Sequence, residues 1–207
     1  FDISYNLKRE FDSSSGCYKF APLYNFLDNH DIDRVASVIK NPKDDLYMIY
    51  ALLFTVPGIP SIYYGSEFAL YGKRNSFGDE DLRPALKPFA EPKAYLVPNF
   101  DAGFLADAIS HFAKIRMSSN AIQKGNYVEL LVKNEQFVFE RNFYDDQNNL
   151  KEKVIAIFNN SSKEETISVL PKDFQNYKDM ISGANYSPND LQNLTLSAKS
   201  VMILRNC

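Results

Sequence analysis

The chain has 207 residues, enough for one large or two modest domains. Hydrophobic residues make up 45%, charged residues 24%, and the formal net charge is −3. That balance excludes a mainly disordered chain, and no apolar run is long enough to form a membrane-spanning helix. The excess of acid over base argues against nucleic acid as a partner, because phosphate binding needs a basic face.

The opening segment spaces Ile3, Leu7 and Phe11 four apart, which predicts a helical face, and Ser13-Ser14-Ser15-Gly16 stops it. Leu23 to Leu27 reads as a short buried strand ending in Asp28-Asn29-His30-Asp31. Asn41-Pro42-Lys43-Asp44 is a helix start with an Asn cap and Pro at the first helical position. That helix carries Leu46, Ile49, Tyr50, Leu53 and Phe54 and ends at Pro57-Gly58. Ile59 to Tyr64 is a second apolar run, and it too ends in a polar tip, Gly65-Ser66-Glu67. A polar loop runs on to about Asn99. Ala102 to Met117 is a third helix, with Leu105, Ile109, Phe112 and Ile115 near one face.

Strands alternating with helices predict parallel strands joined by crossovers, with chemistry at the C-terminal strand ends. From about Asn120 the pattern changes. Tyr127–Val132, Phe137–Arg141, Val154–Phe158, Thr166–Leu170, Leu194–Leu196 and Val201–Leu204 are short β-type runs with polar turns between them, which predicts an antiparallel sandwich. The expected boundary lies near residue 119, with residues 1–118 α/β and residues 119–207 all-β.

Three motifs are candidates for chemistry. Asn29-His30-Asp31 places a histidine and a carboxylate at a strand tip, where they can orient a sugar hydroxyl or simply cap a turn. Gly58 to Glu67 is a tightly turned strand whose Tyr64 and Glu67 can be satisfied without a ligand. Asp79 and Arg83, four apart, form either a weak helical ion pair or a fork that holds adjacent hydroxyls. His111 and Cys17 read as structural. Cys17 and Cys207 make neither a disulfide framework nor a metal spacing.

Taken together, these pieces resemble the α-amylase family of glycoside hydrolases. Phe26-Leu27-Asp28-Asn29-His30-Asp31 is similar to the family's strand-seven signature, Gly58 to Glu67 to its strand-eight segment, and Asp79 to Arg83 to its arginine loop. The tail from about 119 resembles its C-terminal β-sandwich, domain C. The resemblance implies a partial (β/α)8 barrel, the last two strands with their helices, followed by that sandwich. It implies that Asp31 is the carboxylate that stabilises the transition state, and that His30, Asp79 and Arg83 bind the same sugar. Asn29 would shape the turn, Arg34 would approach the substrate from the same loop, and Glu67 would pack or touch substrate.

The family's arginine-bearing nucleophile motif and its acid glutamate strand have no counterpart in this sequence. A retaining glycosidase needs both carboxyl groups. The resemblance therefore implies the C-terminal part of an enzyme that cleaves α-1,4-glucosidic bonds of starch or maltooligosaccharides, inactive by itself. The alternatives are a family transglycosylase and a non-catalytic binding or scaffold relative. No cofactor is expected in this chain, and a family calcium site would lie upstream. The expected partners are an α-glucan oligosaccharide and, covering the open barrel edge, a second copy of the chain. The bland expectation for localisation is cytoplasmic, with secretion the alternative.

Overall fold

The computed structural model describes residues 2–75, 78–85, 97, 100–170 and 175–207. Part of the expected polar loop before Asn99 lies outside the described residues. Two compact units form. One consists of Tyr24–Leu53 and Ile59–Ala113. The other consists of Phe1–Leu23, Phe54–Gly58 and Lys114–Cys207.

The first unit holds two parallel strands, β1 (Tyr24–Phe26) and β2 (Ile59–Ser61), paired Tyr24 to Ile59 and Phe26 to Ser61. Between them come α2 (Val35–Val38) and most of α3 (Pro42–Thr55). Leu46, Tyr50 and Leu53 of α3 are buried, as their spacing predicts. Most of α4 (Ala102–Met117) follows, and Tyr47 stacks on Phe104 and meets Phe112 edge-on. The strands are shorter than the apolar runs that predict them. They are also not buried: Tyr24 is 65% and Ile59 53% exposed. Among the described residues each of these strands pairs only with the other, so each keeps one edge unpaired, while Tyr24 packs against Phe26 and its hydroxyl meets that of Ser61.

The second unit opens with α1 (Asp2–Phe11). This helix groups with the C-terminal residues rather than with the parallel strands, because the turn after it pairs with the antiparallel sheet. Asp12 bridges Tyr127, and the Ser13 amide donates to the Tyr127 carbonyl at 3.1 Å. A short α5 (Asn120–Lys124), capped by Ser119, precedes the sheet; sequence reading expected no helix there. The sheet comprises β3 (Asn126–Val132), β4 (Gln136–Tyr144), β5 (Leu150–Asn159), β7 (Tyr177–Asp179), β8 (Asn185–Tyr186) and β10 (Ser200–Asn206), in the order β3-β4-β5-β10-β7-β8, all antiparallel. The strands β6 (Glu165–Ile167) and β9 (Leu194–Leu196) form a separate pair. One core joins the two sheets: Val138, Ile155, Ile157, Tyr177 and Leu204 from the large one, Ile167, Leu194 and Leu196 from the small one, and Leu191 from α6 (Pro188–Gln192).

Two arginines fix residues 54–58 to this unit. Arg141 donates to the carbonyls of Thr55 at 2.7 Å and Gly125 at 2.8 Å, and Arg116 donates to those of Phe54, Val56 and Gly58. Carbonyls in the last turn of a helix and just past it lack intrahelical donors, and a guanidinium fork supplies several at once. Burial pushes the pKa of Arg141 down, and the like charge of Arg116 adds to this.

Candidate active site

The polar tip after β1 is ordered by two side chains that do different work. Asp28 is buried. Its carboxylate accepts the Val35 amide at 2.9 Å and the Ser66 hydroxyl at 2.8 Å, so it ties the start of α2 to the segment after β2. The Asn29 side-chain oxygen accepts the Asp31 amide at 2.8 Å, a local turn that needs only a short amide side chain. This turn presents His30 and Asp31 to solvent, with side chains 59% and 61% exposed.

The structure brings His30, Asp31, Asp79 and Arg83 together. His30 Nε2 lies 3.1 Å from one carboxylate oxygen of Asp31, and Arg83 Nη2 lies 3.2 Å from the other. The same Arg83 nitrogen contacts Asp79, and Arg83 Nε donates to the His30 carbonyl at 3.1 Å. Asp79 and Arg83 flank a single 3-10 turn, Glu80–Leu82, not a helix of several turns. Their pairing is therefore not a helical surface pair, because Arg83 also reaches a carboxylate 52 positions away. Exposed pairs of this kind add little to stability, because water competes for both charges. For the same reason a hydroxylated ligand can displace water without leaving a buried charge unpaired.

Arg34 requires a correction. The family resemblance implies that it approaches a substrate; instead it is fully buried. Its Nη1 donates to the Tyr64 carbonyl at 2.6 Å and the Ser66 hydroxyl at 3.0 Å. Its Nε and Nη2 donate to the Leu82 carbonyl at 3.1 and 2.8 Å. The guanidinium also lies 4.1 Å from the centre of the Tyr63 ring. Tyr64 reaches the other way, its hydroxyl donating to the Pro84 carbonyl at 3.1 Å. Glu67 has one buried carboxylate oxygen without a hydrogen-bond partner. Asp28 and Ser66 carry no role that the local sequence pattern predicts. The bond that joins them spans 38 positions, and Arg34 lies 32 positions from Ser66, so no local spacing reveals them.

Among the described residues no group of three or more His, Cys, Asp or Glu side chains is placed to hold a metal ion. Cys17 and Cys207 are free and exposed. His111, on α4, is exposed.

Comparison with known proteins defines the class first. The fold matches solved α-amylases. One is the α-amylase of Geobacillus thermoleovorans, with a TM-score of 0.74 and 22% identity over 99% of this chain and 42% of that one. Another is an Anoxybacillus α-amylase, with a TM-score of 0.71 and 25% identity over 90% of this chain and 38% of that one. Residues 4–95 match the family model for the α-amylase catalytic domain. A cyclomaltodextrin glucanotransferase of Niallia circulans is 28% identical over 187 residues, covering 86% of this chain and 23% of that protein. An α-amylase from Niallia circulans is 31% identical over 144 residues, covering 69% of this chain and 24% of that protein. The chain belongs to the α-amylase family of glycoside hydrolases. It spans about a quarter of the length of these two relatives.

Proposed function

We propose that this chain supplies one wall of the cleavage subsite of a retaining enzyme that acts on α-1,4-glucans. The observation that carries the reading is the bridge made by Arg83 between Asp31 and Asp79, with His30 on the far oxygen of Asp31. Two carboxylates accept and a guanidinium and an imidazole donate, all on one exposed patch. Adjacent sugar hydroxyls, each both donor and acceptor, match such a set. In the transition state the sugar gains oxocarbenium character, and the Asp31 charge then stabilises it more than it does the ground state. Asn29 holds the turn that presents Asp31.

In this reading β1 and β2 are the last two strands of a (β/α)8 barrel, and the antiparallel unit is the C-terminal sandwich. The parallel register and the cluster just past the strand ends support it. A retaining mechanism needs two carboxyl groups about 5 Å apart, one free to attack and one to protonate. Asp31 and Asp79 share one arginine nitrogen and do not fill those roles. Transfer to a sugar acceptor is a second reading, favoured by the names of several relatives: cyclomaltodextrin glucanotransferases and a 4-alpha-glucanotransferase of Thermotoga maritima.

The test is titration of the chain with maltotriose, followed by NMR at His30, alongside hydrolysis of a nitrophenyl maltooligoside. Sugar is expected to move the His30 ring signals and leave those of His111 in place. Asp31→Asn is expected to weaken binding tenfold or more, about 1.4 kcal/mol, and no turnover is expected. A His30 signal indifferent to sugar refutes the subsite. Turnover that Asp31→Asn abolishes refutes the assignment of the attacking and protonating groups to residues outside this chain.

A further inference from the structure

The Asp31–Arg83 pair joins residues 52 positions apart on two exposed loops, and the direct bonds between these loops, to the Asp31 carboxylate and the His30 carbonyl, are themselves exposed. Exposed ion pairs are too weak to set a loop geometry by themselves. Something buried has to do it. Arg34 is fully buried, three residues after Asp31, and its guanidinium reaches two other segments at once. One is the Tyr64 carbonyl. The other is the Leu82 carbonyl, in the residue that precedes Arg83, and it receives two of the guanidinium N–H groups. Leu82 is itself fully buried, so the backbone there has no room to drift.

We infer that Arg34 is the positioning residue of this site: by gripping the carbonyls of Leu82 and Tyr64 together, it sets Arg83 opposite Asp31. The functional meaning rests on the subsite reading above, while the geometric claim does not. The buried charge is tolerated because Ser66 relays it to a counter-charge. Its hydroxyl receives Arg34 Nη1 and donates to the Asp28 carboxylate, so cation and anion are linked through one oxygen. The Tyr63 ring, 4.1 Å from the guanidinium, covers its face. A lysine offers a point charge and three tetrahedral donors. It cannot present a planar fork to Leu82 and reach Tyr64 as well.

The experiment uses the whole chain as wild type, Arg34→Lys, Arg34→Ala and Arg83→Ala. The readout is the Arg83 Nε–H resonance, which reports the bond to the His30 carbonyl, and the His30 ring signals, with exposed His111 as internal reference. In folded Arg34→Lys the Arg83 and His30 signals are expected to move to those of an unpaired site while His111 stays. Maltotriose binding is expected to fall tenfold or more, toward Arg83→Ala. Methylguanidinium at millimolar concentration is expected to restore both signals in Arg34→Ala, and methylammonium is expected not to. Folding is checked by circular dichroism. If Arg34→Lys does not fold, the rescue of Arg34→Ala decides the matter, and failure of that rescue overturns the inference. Unchanged Arg83 and His30 signals in a folded Arg34 variant also overturn it. Signals that respond to Arg34 but never to sugar leave the inference standing and refute the subsite instead.

Discussion

Replacement of Gly65 by alanine tests the turn that carries Arg34's partners. Gly65 has φ of 84°, in the left-handed region, and its carbonyl accepts the amides of Phe68 and Leu70, both at 3.1 Å. A Cβ built there would sit 1.8 Å from Leu70 Cδ1 and 2.9 Å from Leu70 Cγ. Leu70 is 2% exposed and cannot swing into solvent. The backbone strain of a non-glycine residue at this φ is about 1 kcal/mol, and overpacking a closed site costs about 1–3 kcal/mol. The expected loss is therefore about 2–4 kcal/mol, which for a chain of this size lowers the melting temperature by about 4–16 °C. The assay is urea and thermal unfolding of wild type, Gly65→Ala, Leu70→Ala and the double variant. Leu70→Ala alone should cost about 2–5 kcal/mol. The double variant should recover about 1–3 kcal/mol relative to the sum, because the colliding methyl is gone. A Gly65→Ala loss within about 0.5 kcal/mol refutes the account of the turn. Strictly additive losses refute the collision and leave only backbone strain.

Two further outcomes follow from the second unit. Asp12 accepts the Ser14 hydroxyl at 2.6 Å, the Ser15 hydroxyl at 2.9 Å and both their amides at 3.0 Å, which holds its pKa at about 2, below the usual 3.8. A depressed carboxyl pKa stabilises the fold above the unfolded value and is lost as pH falls through the folded one. Between pH 4 and pH 2 wild type should therefore lose stability faster than Asp12→Ala in denaturant titrations, and parallel curves would contradict the turn's role. Arg141→Met should cost about 3–5 kcal/mol, because the buried carbonyls of Thr55 and Gly125 lose the donors they share. A melting temperature within a degree of wild type would show that water replaces the guanidinium.

Local pattern alone determined the long helices α1, α3 and α4 and most long strands. Asn41-Pro42 starts α3 and Pro57-Gly58 follows its end. The four-residue spacing of α1 and the apolar face of α4 are properties of neighbours in the chain. So are the cluster residues His30, Asp31, Asp79 and Arg83, which stand in short recognisable motifs. One missed element was also legible: Ser187-Pro188-Asn189-Asp190 forms a capping box with Pro at the first helical position, and it opens α6. The three-residue β7 and two-residue β8 carry too few positions to show a period, and only their pairing in the sheet makes them strands.

Tertiary structure alone decided the rest. The exposure of β1 and β2 depends on what pairs beside them, which an apolar run cannot state. Phe1–Leu23 joined the C-terminal unit because Asp12 and Ser13 meet Tyr127, more than a hundred positions away. Arg34 follows the same rule. An arginine beside a polar strand tip reads as a group for substrate, because its charge suggests water. Burial among the carbonyls of Tyr64 and Leu82 turns it inward, and those carbonyls come within reach only when three segments fold together. A short-range pattern specifies a helix face because its partners are a turn away; the place of a buried charge depends on partners that only the fold supplies.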